Sequence, residues 1–149
     1  KYRVRNLLTG TERSFTLRVR DIKGDQVHYD NGNVTDVVGN TIKGRSNDRP
    51  TTYSPASILY AFPLRAGSEW PFKFVQDSAG RIYDVEGSIK VIGEEEVEVP
   101  AGKMRALRIE RVARWSERGK ENKGVNTMTY WYSSATKRAY SGSLIGQLR

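Results

Sequence analysis

Apolar and polar side chains alternate at period two through most of this chain, and no long amphipathic helix interrupts the pattern. Tyr2, Val4 and Leu8 fall on one side of the first segment, with Arg3 and Arg5 on the other. Phe15, Leu17 and Val19 alternate in the same way with Thr16, Arg18 and Arg20. Such alternation specifies half-buried strands, because successive side chains on a strand point to opposite faces. Turn residues punctuate the strands. Ile22-Lys23-Gly24 reads as a three-residue hairpin loop with Gly24 left-handed, and Asn31-Gly32 as a two-residue hairpin turn. A four-strand meander is therefore expected up to Val38. Its register would set Val4 opposite Leu17, Val19 opposite Val27, and His28 opposite Thr35.

The second half repeats the pattern with longer strands. Trp70 to Gln76 precedes a turn at Asp77-Ser78-Ala79-Gly80, and Arg81 to Ile92 follows, with Gly87 predicting a bulge or bend. Val97 to Glu110 reads as strand, Pro100-Ala101-Gly102 turn and strand, with proline supplying a fixed φ and glycine a positive one. The strand from Met104 runs to about Trp115, Ser116 to Lys123 is a loop, and the aromatic run Thr129 to Ser134 belongs to the returning strand. Ala135-Thr136-Lys137 then turns the chain into Arg138 to Tyr140, and the small, polar tail from Ser141 onward is expected to fray.

Gly39 to Ser57 lacks a clear period and reads as an exposed connection, a candidate lid hinged at Gly39 and Gly44. Within it, Ser54 to Tyr60 fits either a helical turn capped by Ser54 or an extended segment. The expectation is one all-β domain over residues 1–149: a single antiparallel, strongly curved sheet or barrel-like meander of about ten strands. Phe15, Leu17, Val19, Val27, Trp70, Leu107, Ile109 and Tyr132 are its expected core.

Composition narrows the chemistry. The chain has no cysteine, which excludes disulfides and thiol catalysis, and its one histidine, His28, cannot by itself build a histidine metal cluster. No cofactor is implied, and no apolar run approaches a membrane helix. The chain opens at Lys1 rather than Met, which predicts a processed or trimmed product. A net charge of +8 permits anionic partners, although the basic residues do not gather in one run.

Phe62-Pro63-Leu64, Gly67 and Trp70, then Val99-Pro100-Ala101-Gly102, Leu107, Ile109-Glu110 and Thr129-Tyr130-Trp131-Tyr132 follow one another in an order that resembles a bacterial domain family of unknown function (DUF3108-like). Met104 stands where that pattern has Phe, and the arginine-rich front of the chain lies outside it. The resemblance implies an antiparallel β fold and a periplasmic or cell-envelope location. It brings no catalytic residue.

Three groups of residues are candidates for function. Trp115, Tyr130, Trp131, Tyr132 and Tyr140 fall on neighbouring strands and suit either a ligand pocket or an ordinary β core. Arg3, Arg5, Arg18, Arg20 and His28 share the polar face of the first meander. They offer an anion site, although nucleic acid is disfavoured because the stacking aromatics lie on the other face. Glu94, Glu95, Glu96 and Glu98 have calcium chemistry but not the spacing of a loop that wraps the ion, so a solvated strand end is the better account. No nucleophile elbow, phosphate loop or dinucleotide fingerprint is present, and Asp84 and Glu86 merely share a strand face, so no enzyme activity is expected. The leading expectation is a non-enzymatic envelope domain binding a small apolar ligand or a protein partner. The alternatives are an anion binder and a purely structural module of a longer chain.

Overall fold

The computed structural model describes residues 2–5, 12–46, 48–99, 102–134 and 138–144, with side chains described over 16–46, 48–98 and 102–134. Among these residues the chain is all strand and turn. The strands are β1 (Tyr2–Arg5), β2 (Glu12–Phe15), β3 (Val19–Lys23), β4 (Gln26–Tyr29), β5 (Val34–Asp36), β6 (Thr41–Ser46), β7 (Arg49–Ser57), β8 (Glu69–Ser78), β9 (Arg81–Val99), β10 (Gly102–Glu117), β11 (Lys123–Ser133) and β12 (Arg138–Leu144). β3 to β12 pair in sequence order into one antiparallel ten-stranded sheet, and β1 and β2 pair apart from it. The sheet is open, with β3 and β12 as its edges, so the expected closure into a barrel is absent among the described residues.

The front hairpins form, but in other registers than expected. Val4 pairs with Arg13 and Arg3 with Ser14, not with Leu17 and Arg18. At Gly24 the loop has two residues, Lys23 pairing with Gln26, and Arg20 is the extra residue of a bulge between Val19 and Asp21. Val19 therefore faces Tyr29 and stands 56% exposed, outside the core it was expected to join. His28 pairs with Val34 rather than Thr35, because Asn31 folds its side chain back onto the Asn33 amide and lengthens the turn.

Gly39 to Ser57 is not a loose connection. Most of it is the β6–β7 hairpin, whose turn includes Asp48 in a left-handed conformation. Its exposed polar residues belong to two paired strands inside the sheet rather than to an unstructured loop, and the segment around Pro55 is extended rather than helical. The Pro100-Ala101 turn and the Ala135-Thr136-Lys137 turn lie outside the described residues, although Gly102 has the positive φ that the turn reading required. Ser141 to Leu144 pair with β11, so the start of the expected frayed tail is strand, and residues 145–149 lie outside the described residues.

The core sits on one face of β8 to β10. Phe72, Phe74, Val85, Ile89, Val91, Ile109 and Ala113 are buried there, with Trp70, Leu107, Trp115, Tyr130 and Tyr132 packed against them. Each buried Phe, Val or Ile among them contributes roughly 1.5–3 kcal/mol. The β9 bulge falls at Ile92, where Arg108 pairs with Gly93 and Ile109 with Val91. Gly87 is in regular register opposite Phe72 and Ala113, and so is not the predicted bulge. Its role is close approach: a Cβ there would lie 1.9 Å from the Val112 carbonyl oxygen and 2.9 Å from Cζ of Phe72.

The connection between β7 and β8 covers one end of this face. Between the Lys43–Thr52 and Thr41–Ser57 pairs, β7 has four residues where β6 has one, and this swings Ser57 away from β8. Asn40, 6% exposed, holds the chain that follows. Its Oδ1 accepts from the amides of Leu59 and Tyr60, at 2.8 and 2.9 Å, and its Nδ2 donates to Asp36. At the far end the Gly67 amide donates to the Val91 carbonyl, and the Val91 amide to Ser68. Ile58, Tyr60 and Leu64 of this pinned segment pack on the core.

Candidate functional site

A trough of about 820 Å³ runs over the same face, from β6 and β7 across to β11. Its lining alternates along every strand as period two requires: Tyr53 on β7, Phe74 on β8, Tyr83 and Val85 on β9, Trp115 on β10, Met128 and Tyr130 on β11. The rings interlock, with Tyr53 edge-on to Phe74 at 5.6 Å and Tyr83 edge-on to Trp115 at 5.9 Å. Gly124, opposite Trp115, leaves the space that the indole fills, since a Cβ there would meet its ring at 2.8 Å. Tyr60, Phe62 and Tyr132 cluster at 5.6 to 5.9 Å, so Phe62 of the first resemblance motif meets Tyr132 of the last.

Three cations line the trough: Arg49, exposed on β7, Arg81, which pairs with Glu117 beside the trough, and Arg111. Glu117, 4% exposed, is fully engaged. Arg81 donates to it from Nε at 2.9 Å and Nη2 at 2.7 Å, Lys120 at 2.8 Å and Asn122 at 2.9 Å. The Arg81 hydrogen bond, followed by those from Lys120 and Asn122, holds the Glu117 carboxyl well below the usual carboxylate range. Arg111 has no such partner. Its guanidinium lies 4.4 Å above the Phe72 ring, and its nearest acceptors are Ser57 Oγ at 3.5 Å and Met128 Sδ at 3.8 Å. Burial lowers its pKa, with the Tyr130 and Tyr53 hydroxyls acting in the opposite direction, and burial likewise raises both tyrosines. Tyr130 donates its hydroxyl to the same Met128 sulfur, at 3.1 Å.

Of the five aromatics expected to line a site, the trough brings together Trp115 and Tyr130, with Tyr132 on the same face. Trp131 points to the opposite face, where its indole donates to Glu95. The backbone of Tyr140 pairs with Trp131, and its side chain lies outside the described residues. The basic face is not assembled as expected. Arg3 and Arg5 have side chains outside the described residues, Arg18 and Arg20 are exposed, and Asp21 rather than Arg18 stands opposite His28. The glutamates before the Pro100 turn extend β9. Glu94 pairs with Arg105 at 2.8 Å and Glu96 with Lys103 at 3.0 Å, which is strand-edge chemistry rather than an ion-binding loop. Asp84 and Glu86 are likewise paired, with Arg118 and Lys73.

Arg111, Tyr53 and Tyr83 were not singled out from the sequence. The available signal was a lone arginine within the alternating run Leu107, Ile109, Arg111, Ala113, Trp115, on the face that should have been apolar. No protein-family model, no curated protein and no solved structure matches the chain.

Proposed function

We propose that this chain is a non-enzymatic, envelope-associated β domain whose curved sheet binds a small apolar ligand in the trough. The observation that carries this reading is the trough itself: a hollow of about 820 Å³ on one sheet face, lined by Tyr53, Phe74, Tyr83, Trp115, Met128 and Tyr130. That size matches small-molecule sites, and the aromatic side chains share the lining with polar ones such as Ser46, Arg49, Gln76, Asn122 and Asn126, so an apolar body and a polar group can both be met there. Curvature is supported by Arg111 on β10 reaching Ser57 at the end of β7, three strands away. In a flat sheet three strand spacings are about 14 Å, beyond the reach of one side chain. A non-enzymatic role is supported by the tying of Glu117 to three cationic or amide donors, which leaves that carboxylate no free lone pair for proton transfer. The envelope location rests on the motif resemblance, which covers about Phe62 to Tyr140.

Displacement of a lipophilic fluorescent dye, with native mass spectrometry of the protein alone, tests the reading. Saturable binding that Trp115→Ala weakens several-fold is expected. A dye that fails to bind, or binds equally to Trp115→Ala, refutes it.

A further inference from the structure

Arg111 is a cation set into an apolar face, and no acidic residue lines the trough around it among the described residues. A guanidinium has five N–H donors in a fixed fork. Here two of its contacts reach protein acceptors, one at 3.5 Å to a hydroxyl and one at 3.8 Å to a thioether. Tyr130 sends its hydroxyl to that same sulfur. Two strong donors thus converge on Met128 Sδ, one of the weakest acceptors a protein has. Methionine is also flexible enough to vacate such a place.

Resting on the trough as the binding site, we propose that its ligand is an amphipathic carboxylic acid, with its carboxylate taken by Arg111 and Tyr130 in place of the Met128 sulfur. The apolar body then lies along Phe74, Tyr83 and Trp115. Phe72 lies under the guanidinium, and a carboxylate matches its fork of donors with two parallel hydrogen bonds. A phosphate monoester carries about −1.5 to −2 at neutral pH. Of the other two cations lining the trough, Arg81 is already committed to Glu117 and Arg49 is exposed to water on β7, which favours a singly charged group. Burial of the Arg111 side chain strengthens the pairing, since the local environment screens it less than water does.

The test is fluorescence titration of the protein with 11-(dansylamino)undecanoic acid and with its methyl ester. The wild type is expected to bind the acid at least ~10-fold more tightly than the ester, a difference of about 1.4 kcal/mol. Arg111→Met should abolish that preference, so that acid and ester bind alike, and Tyr130→Phe should reduce it. Dodecanoate should displace the acid at lower concentration than dodecyl phosphate. Equal binding of acid and ester by the wild type overturns the carboxylate assignment while the apolar trough stands, whereas binding of neither overturns the trough as well. A preference that survives Arg111→Met, or tighter competition by dodecyl phosphate, also overturns the assignment. Circular dichroism melts check folding. Should Arg111→Met not fold, Tyr130→Phe decides, and an undiminished preference in that variant refutes the proposal.

Discussion

Gly87→Ala is a substitution for which strand preference and packing disagree in sign. Glycine in the middle of a strand costs roughly 0.5–1 kcal/mol relative to alanine, because the unfolded chain loses more freedom on folding. On that ground alone the variant should gain stability. The structure reverses the expectation: the new methyl would stand 1.9 Å from the Val112 carbonyl oxygen and 2.9 Å from Cζ of Phe72. The first neighbour is backbone, held in the longest strand pairing of the sheet, so relief requires β9 and β10 to part by roughly an ångström. Overpacking of this kind typically costs ~1–3 kcal/mol, and a backbone neighbour places Gly87 at the upper end. The net expectation is destabilisation by about 2–2.5 kcal/mol after the entropic gain is deducted. Gly93→Ala is the internal control, since a Cβ there meets nothing within 4 Å and φ is not in the left-handed region. Urea unfolding of both variants should lower the midpoint for Gly87→Ala and hold or raise it for Gly93→Ala, with m unchanged. A Gly87→Ala protein as stable as the wild type, or a Gly93→Ala protein equally weakened, refutes the close-approach reasoning.

Two other outcomes follow from the same geometry. Ile109 is fully buried and Leu107 only packed against the core, so Ile109→Ala should cost ~2–5 kcal/mol by urea unfolding and Leu107→Ala less; the reverse order would place the core elsewhere. Glu117 has a depressed carboxyl pKa, so its contribution to stability is complete above the unfolded value of roughly 4.3 and is lost as pH falls below it. The wild-type urea midpoint should therefore drop more steeply from about pH 5 to pH 3 than that of Glu117→Gln, and parallel curves would show that the cluster does not hold its proton affinity down.

Strand type and hairpin order were legible because they depend on local alternation and turn chemistry. The Asp77 to Gly80 turn formed as read, with the Gly80 amide donating to Asp77 at 2.8 Å. Register was not legible, because single unpaired residues decide it. Arg20 in β3 and Ile92 in β9 each shift pairing by one, and neither carries a compositional mark. The β6–β7 hairpin was obscured for a related reason. Its side chains are mostly polar and its apolar contacts come from Tyr53 alone among Arg49 to Ser54, so hydrophobic period gave no signal even though the backbone pairs without interruption from Lys43–Thr52 to Ser46–Arg49.

The candidate site was half legible, and parity explains the division. Tyr130, Trp131 and Tyr132 are adjacent, so no strand can present all three to one ligand; period two assigns Tyr130 and Tyr132 to the core face and sends Trp131 to Glu95 on the other. The same rule applied to β10 places Arg111 between Ile109 and Ala113, two of the most deeply buried residues of the sheet. A folding preference alone would have put an apolar residue there, and the charge is tolerated because Phe72 offers its ring face to the guanidinium. That ring keeps its place because Gly87 leaves room beside it, a Cβ there lying 2.9 Å from Cζ. Gly87 on β9 thus helps set where the Arg111 guanidinium can stand among the buried side chains of the core face, and hence where a ligand's charge would be met.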